Sequence, residues 1–364
     1  MKYAEPFRDP AVARQLVAAI HETVRDFAGT MTFMEVCGTH TMAIYQHGIR
    51  SLLPQAIRLI SGPGCPVCVT PVDYVDHAVA LARRPGTIIA TFGDMVRVPG
   101  STSSLQREQA QGAQIRVVYS PLDAVALAQK EPQRQIVFLG VGFETTTPTI
   151  AGSILAAQRL GLDNYFVLGA HKTIPGPMAI LAADPDLRVD GYLCPAHVSA
   201  IIGADAYLPL ARDHHLPCVV TGFEPLDMLQ GVAMLARQVV SGAARVETQY
   251  SRIVKADGNP KARELLYRVF APSDARWRGL GVIPGSGLAI REEFAAFDAA
   301  RQLPVTVEPS HEPPGCRCGE ILKGQIVPRE CSLFGSVCTP EDPVGACMVS
   351  SEGTCAAEYK YGGC

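Results

Sequence analysis

Two cysteines separated by two residues lie early in the chain, in the run Gly-Pro-Gly-Cys-Pro-Val-Cys from Gly62 to Cys68. Such a pair can close a disulfide or, as thiolates, hold a soft metal ion. The apolar residues 57–60 before it predict a buried strand, and residues 70–73 (Thr-Pro-Val-Asp) have the residue types of a helix start. Cys65 and Cys68 therefore fall where ligands collect in open α/β sheets. The nearby helix start favours a thiolate, so we expect at least one of their pKa values to lie below the ~8.5 of a free thiol.

A third cysteine, Cys37, has the same kind of position. It follows a strand predicted for residues 32–36 and precedes a helix predicted for residues 41–47. If this strand and the one at residues 57–60 are neighbours in one sheet, the three thiols converge on one crevice. His40 follows closely and is a candidate to act beside them. The alternative for Cys37 is a buried small apolar residue, the commoner role of a single cysteine.

Strands and helices alternate along most of the chain. A first helix is predicted to begin at Asp9-Pro10 and to stop at Gly29. Six further strands are predicted at residues 87–92, 115–119, 136–141, 165–168, 191–194 and 218–221. Most are continuous apolar runs, which indicates an α/β fold with parallel sheets covered on both faces. The strands would fit either one TIM barrel or two open sheets, and we favour two open parallel sheets of similar topology.

Polar residues follow several of these strands and are candidates to line a cleft: Asp94, Glu144, His171 and His197. Each could instead cap a helix or bond to the backbone. Because the carboxyl ends of parallel strands share an edge, their recurrence predicts a lined cleft. The glycine-rich residues 279–287 match neither a P-loop nor a dinucleotide fingerprint, so we infer no ATP or NAD site.

Composition narrows the class of protein. The 364 residues carry a formal net charge of -3 and no Lys/Arg run, which argues against a nucleic-acid surface. No apolar run approaches the ~20 residues of a membrane span, and the N-terminus lacks a signal-peptide pattern, so we expect a cytoplasmic protein. In that reducing compartment the 12 cysteines are expected to be metal ligands or redox groups.

Seven of these cysteines fall in the last part of the chain: Cys316, Cys318, Cys331, Cys338, Cys347, Cys355 and Cys364. From residue 304 onward the sequence is loop-like and lacks a substantial apolar core, so it needs another source of order such as a metal centre. Structural zinc usually shows two close Cys-x-x-Cys pairs, and this segment has none. The irregular spacing fits an iron–sulfur cluster better than zinc, which stays the first alternative, and disulfides are the third.

Several motifs together resemble those of the HypD family of hydrogenase maturation factors. They are Cys37-Gly-Thr-His-Thr41, Gly62–Cys68, Gly142–Thr146, Pro195–Ser199, Cys331–Gly335 and Met348–Gly353. The last motif contains Glu352, a further candidate to line the cleft. The resemblance implies two α/β domains and a loop-rich, mostly helical C-terminal domain carrying a [4Fe-4S] cluster. Position by position, the implied cluster ligands are Cys318, Cys331, Cys338 and Cys355.

The resemblance also implies a function. Members of this family work with the small chaperone HypC as a scaffold on which iron acquires cyanide and carbonyl ligands before delivery to the large subunit of [NiFe]-hydrogenase. Cyanide comes from HypE, supplied by HypF. Ser332 stands where we would expect proline, and nothing in this chemistry depends on it. No residue pattern of an ordinary turnover enzyme accompanies these motifs.

The residue pattern and the resemblance agree on three strand-end thiols and a distant cluster. The iron that the resemblance implies, low-spin and bearing cyanide and carbonyl, needs soft donors such as thiolates. As a hypothesis, Cys37 is the primary iron ligand, Cys68 or Cys65 a second, and a thiol of HypC completes the site. His40 would donate a hydrogen bond or carry a proton. The tail cluster would reduce a Cys65–Cys68 disulfide to thiols, so that its redox state controls iron binding.

Two other functions are open for these residues. They are an iron–sulfur-dependent thiol–disulfide oxidoreductase and a zinc-stabilised α/β binding protein.

The chain is predicted to divide into five segments. They are an N-terminal helix (1–30) packing with the C-terminal domain, a first α/β domain with the thiols (31–120), a second α/β domain (121–275), a return segment to the first domain (276–303) and the [4Fe-4S] domain (304–364).

Overall fold

A computed structural model of the protein describes residues 5–363, so Cys364 lies outside the described residues. The strands are β1 (Met31–Glu35), β2 (Ile57–Ser61), β3 (Thr87–Thr91), β4 (Gln114–Val117), β5 (Gln135–Gly140), β6 (Tyr165–Gly169), β7 (His171–Lys172), β8 (Gly191–Pro195), β9 (Cys218–Thr221), β10 (Val246–Thr248), β11 (Phe270–Trp277) and β12 (Gly281–Ile290).

The helices alternate with these strands over most of the chain. They are α1 (Pro10–Thr23), α2 (Gly38–Gln46), α3 (Ile49–Leu52), α4 (Pro66–Val69), α5 (Val72–Ala82), α6 (Gly93–Arg97), α7 (Leu105–Ala110), α8 (Pro121–Lys130), α9 (Thr147–Arg159), α10 (Pro175–Ala182), α11 (Ala196–Ile202), α12 (Leu208–Asp213), α13 (Pro225–Val240), α14 (Pro260–Val269), α15 (Ala299–Gln302), α16 (Cys318–Leu322), α17 (Ala346–Val349) and α18 (Thr354–Tyr361). Short 3-10 turns occur at Glu5–Arg8, Ala204–Tyr207, Glu292–Phe297 and Pro328–Glu330.

Two open parallel sheets form the framework, as predicted. The first has the order β10-β9-β8-β1-β2 and the second the order β4-β3-β5-β6. Counted along the chain within each sheet, the first sheet follows the order 2-1-3-4-5, as in flavodoxin-like folds, and the second follows the order 2-1-3-4. In this order the switch point lies between the first and third strands, where ligands bind.

The first sheet is discontinuous in sequence. β1 pairs with β2 on one side and with β8 on the other, so the whole second sheet is inserted between β2 and β8. This sheet thus takes strands from both predicted α/β segments, 31–120 and 121–275. Sheet pairing alone sets no domain boundary, and the predicted boundaries stay predictions.

An antiparallel sheet that the sequence did not predict packs beside the second parallel sheet. Its order is β11-β12-β7, and β12 occupies the glycine-rich stretch considered above as a nucleotide loop. The segment after it lies against the second sheet, where Asp298 forms a bridge with Val167 of β6. The predicted return of residues 276–303 to the first domain stays a prediction.

The first helix packs on α13. Asp9 caps α1, as its sequence predicts, by accepting from the Ala11 amide at 2.7 Å. Ile20 and Val24 then join a core with Leu229 and Val232 of α13. The predicted packing of the N-terminal helix with the C-terminal domain stays a prediction.

Residues after 303 form loops and short helices, and we call this segment the tail. α18 packs on α2 and α17 packs on α4, which are the helices that follow β1 and β2. The tail therefore covers the carboxyl edge of the first sheet. No helix among residues 5–363 is long and apolar enough to cross a membrane.

Candidate functional site

The ends of β1 and β2 bring Cys37 and the Cys65–Cys68 segment together. The Gly38 amide donates to the Gly64 carbonyl at 3.0 Å. A Cβ atom added to Gly64 would lie only 2.1 Å from the Cys37 nitrogen, so only glycine allows the two backbones to approach this closely. The structure thus confirms that the two strands are neighbours, and the three cysteines share one edge.

Cys65 and Cys68 are buried and joined by a disulfide. Cys65 begins the one-turn helix α4, which has proline at its first position, and Cys68 lies inside it. The sequence predicted a loop here and a helix start capped by Thr70. Instead, the Thr70 hydroxyl donates back to the Pro66 carbonyl at 2.8 Å and closes α4, while α5 begins after Pro71. As a disulfide the pair has no thiol to titrate, so the lowered pKa expected for it does not apply to this state.

Cys37 remains a free, partly exposed thiol before α2. Its pKa is raised to about 12, first by burial of the sulfur and then by the negative charge of Glu352. The backbone amides of Thr39 and His40 oppose this shift. The sulfur therefore carries a proton at neutral pH, and a metal ion that binds it must displace that proton.

Glu352 reaches this edge from the tail. It accepts a hydrogen bond from the Thr39 hydroxyl at 2.6 Å. A Cβ atom on Gly38 would lie 2.4 Å from the Cβ of Glu352, so the tail lies directly over the residue after Cys37. The thiol edge is consequently built from three separate stretches of chain.

Two histidines flank a phenylalanine at the same edge. His40 is fully buried, and its Nε2 is 2.8 Å from the Thr221 carbonyl, while Nδ1 has no partner among the residues that the structure describes. Burial lowers the pKa of His40 to about 4, so the ring is neutral. Phe223 lies 4.9 Å from the His40 ring and 4.2 Å from the exposed His197 ring. Phe223 was not predicted from the sequence as a site residue, although it follows the end of β9, where the other candidates were sought.

The other strand-end candidates follow strands of the second sheet. Glu144 and His171 follow β5 and β6, and Asp94 follows β3 and is exposed. His171 itself lies in β7 of the antiparallel sheet. That these three residues line a cleft stays a prediction.

Two of these residues are buried with little hydrogen bonding. Glu144 accepts from the Ile174 amide at 3.0 Å through Oε1, its Oε2 has no partner within residues 5–363, and burial raises its pKa to about 7. Neither ring nitrogen of His171 has a hydrogen-bond partner in the described part of the chain. The ring lies 4.8 Å from Phe270, and burial lowers the pKa of His171 to about 3.

The tail contains a small apolar cavity ringed by cysteines. Its walls include Ile321, Leu333 and Phe334. Six cysteines line it: Cys316, Cys318, Cys331, Cys338, Cys347 and Cys355. The Sγ atoms of Cys318 and Cys347 are 2.7 Å apart. Over residues 5–363, no three His, Cys, Asp or Glu side chains are arranged as ligands of one metal ion.

Two further cysteines lie in the interior. Cys194 and Cys218 are fully buried on the neighbouring strands β8 and β9. Burial raises the pKa of the Cys194 thiol, with the adjacent Cys218 adding to the shift. These two thiols are packing residues of the first sheet and lie within its core rather than at its edge.

Comparison with known proteins adds an independent line of evidence. The family model described as "HypD: Hydrogenase formation hypA family" matches residues 11–362. The chain is 50% identical over 369 residues to the hydrogenase maturation factor HypD of Azotobacter vinelandii, covering 100% of this chain and 97% of that protein. It is 43% identical over 366 residues to the hydrogenase maturation factor HypD of Escherichia coli, covering 99% of this chain and 98% of that protein. The chain therefore belongs to the HypD family of hydrogenase maturation factors.

Proposed function

We propose that this protein is a scaffold that binds iron through thiolates while the Fe(CN)2CO group of [NiFe]-hydrogenase is assembled. The observation that carries the proposal is the meeting of Cys37 with the Cys65–Cys68 pair at one sheet edge under the tail. The position of Cys37 at the switch point of the first sheet supports it, since ligands bind there in this class of fold. Membership in the HypD family supports the link to hydrogenase maturation.

Iron is the cargo of this site. Cys37 is the primary ligand because it is the free, partly exposed thiol of the three. Cys68 or Cys65 becomes a second ligand only after the disulfide is reduced, so thiol redox state controls loading. A HypC-like small chaperone contributes a further thiol, HypE delivers cyanide made with HypF, and the hydrogenase large subunit receives the product. We infer a cytoplasmic location, where thiols stay reduced.

Neighbouring side chains surround the proposed iron site. The Nε2 proton of His40 is used by the Thr221 carbonyl, which leaves Nδ1 as an acceptor on a neutral ring. We assign His40 a supporting hydrogen-bonding role rather than that of an iron ligand; because its pKa is lowered to about 4, the ring is a weak base. Glu352 lies over Gly38 and Thr39, the residues after Cys37, and we assign His197 to the same cleft.

The tail cavity fits a [4Fe-4S] cluster by its donors and its walls. Thiols are the ligands of such clusters, and the surrounding apolar side chains exclude water. We assign Cys318, Cys331, Cys338 and Cys355 as the ligands, with Cys316 and Cys347 as spare thiols in the same cavity. When bound, the cluster supplies one-electron chemistry to the site.

Visible absorbance of anaerobically purified protein tests this ligand set. Cys318→Ala is expected to lose most of the brown absorbance and the iron content, whereas Cys347→Ala is expected to keep more than about half of both. Cys218→Ala removes a buried thiol outside the cavity and serves as the control. Equal losses in the Cys318 and Cys347 variants would reassign the ligands.

A thiol–disulfide oxidoreductase is the second candidate function, and the Cys65–Cys68 disulfide is the observation that favours it. Co-purification and turnover distinguish the two functions. A scaffold should co-purify with a HypC-like protein in about a one-to-one ratio and should not turn over a free protein disulfide. Catalytic reduction of such a disulfide, without a stable partner, would support the oxidoreductase instead.

A further inference from the structure

A buried arginine links the two cysteine regions. Arg278 lies at the turn between β11 and β12 and is only 3% exposed. Its backbone amide donates to the Val69 carbonyl at 2.9 Å, and its Nε donates to the Thr70 carbonyl at 3.0 Å. Arg278 therefore holds the carboxyl-terminal end of α4, the helix that contains the Cys65–Cys68 disulfide.

The same turn contacts the tail on its other side. A Cβ atom on Gly279 would lie 2.4 Å from the Cα of Gly319, so the turn packs directly on the residue after Cys318. Gly279 has a φ of +79°, which also favours glycine at this close approach. The turn thus spans from the disulfide helix to the wall of the tail cavity.

The charge of Arg278 is only partly balanced. Its Nη1 donates to Glu312 Oε2 at 2.5 Å, but the Glu312 side chain is 53% exposed and so lies partly in water. Its Nη2 is buried and has no partner among the described residues. A buried guanidinium stays charged and is costly without compensation, so an additional negative group beside it would be stabilised.

Cys318 is the cavity cysteine next to this turn. It lines the cavity and directly precedes Gly319, on which the turn packs. The backbone of the turn that carries Arg278 therefore lies against the cavity wall.

We propose that Arg278 is a positioning residue that raises the reduction potential of a redox centre in the tail cavity while holding the disulfide helix α4 against the tail. The proposal rests on the proposed function for the presence of that centre. Reduction adds one negative charge to the centre, and a fixed positive charge in a poorly solvated site favours the more negative form. Net charge and hydrogen bonds to sulfur are two of the means by which proteins set such potentials.

Potentiometric titration of the full-length protein under anaerobic conditions tests the charge effect. R278Q should raise the ratio of oxidised to reduced centre at least tenfold at a fixed ambient potential, which is about 59 mV for a one-electron couple. E312Q removes the counter-charge and should lower that ratio at least twofold. R278K keeps the charge and should stay within about threefold of the wild type.

R276Q is the matched control because Arg276 lies in the same hairpin but is exposed and pairs with Asp73. It should change the ratio less than twofold. Unchanged ratios in R278Q and E312Q, or shifts of both variants in the same direction, would overturn the proposal. E312Q alters a half-exposed side chain, so it decides the matter even if R278Q does not fold.

A second measurement separates this inference from the proposed cluster. The rate at which dithiothreitol reduces the Cys65–Cys68 disulfide can be followed by thiol labelling without any metal. R278Q should react at least threefold faster, because α4 loses the bond from Nε to the Thr70 carbonyl, and R276Q should react at the wild-type rate. If the wild type shows no visible absorbance, the proposed cluster fails, and an unchanged rate in R278Q would then overturn the role of Arg278.

Discussion

The two parallel sheets have the same strand order and carry different chemistry at their carboxyl edges. Cys37 follows the first strand of one sheet, and Asp94 follows the first strand of the other. His197 and Glu144 follow the corresponding third strands. Both pairs flank the switch point of their sheet, the place where open α/β folds bind ligands.

The two edges differ in which of their side chains are exposed to solvent. Cys37 is partly exposed, and Glu352 of the tail reaches the residues beside it. At the second edge, Glu144 and His171 are buried with unpartnered polar atoms, while Asp94 is exposed. Topology thus locates two equivalent crevices, and they differ in their side chains and in the segment that covers them.

Glycine-to-alanine substitutions should give the largest difference between the two edges in the loss of folding stability. Gly64→Ala is expected to lower the free energy of unfolding by about 3 kcal/mol or more, because the new Cβ would meet the Cys37 and Val36 backbones. Gly140→Ala should cost about 1 kcal/mol, since its Cβ would meet side-chain atoms of His171 and Val167, which can move.

The single tryptophan, Trp277, is buried and reports unfolding in denaturant by its fluorescence. Equal costs for the two glycine variants would mean that the thiol edge is no more tightly built than the second edge.

Glu144 should make stability depend on pH at the second edge. Its folded pKa of about 7 lies above the ordinary value of 4.5, so the folded protein keeps a proton that the unfolded chain has lost. Its contribution to stability is therefore present below about pH 4.5 and is lost as pH rises through 7, by about 2–3 kcal/mol. Glu144→Gln should remove this slope and gain stability relative to the wild type at pH 8.

Asp94→Asn is the matched control, because it neutralises an exposed carboxylate at the same edge. It should change stability by less than about 0.5 kcal/mol at any pH between 5 and 8. A Glu144→Gln variant that parallels the wild type across this range would show that the Glu144 carboxylate is solvated or paired.

Substitutions of the two buried histidines should differ in their stability cost by a smaller amount. His40→Leu is expected to cost about 1–3 kcal/mol because it leaves the Thr221 carbonyl without its donor. His171→Leu should be nearly neutral, since neither ring nitrogen of His171 has a partner to lose. Denaturant unfolding of both variants checks this, and a His171 cost as large as that of His40 would reveal a missing partner at the second edge.

Local signals in the sequence predicted much of this arrangement. Ser120 and Asp123 form the capping box of α8 that their spacing indicates. Cys37 and Cys65 lie directly at helix starts after strands, because apolar runs and glycine or proline mark such junctions. The strand-end placement of the thiols was therefore readable without a structure.

Non-local pairing accounts for what could not be predicted. β8 joins β1 after more than a hundred intervening residues, and no local pattern records that choice. β11 and β12 are rich in polar residues, glycine and proline, and are strands because they pair with each other. In the tail, spacing could not separate Cys318 from Cys347, which lie side by side at the cavity.

Infrared spectroscopy of the protein purified anaerobically with its HypC-like partner is the most direct test of the first edge as the iron site. Wild-type protein and Cys218→Ala, which alters a buried thiol of the same sheet, should show cyanide and carbonyl bands together with bound iron. Cys37→Ala should lose both the bands and the iron that gives rise to them while the protein stays folded. Unchanged bands in Cys37→Ala would contradict the assignment of iron to this edge.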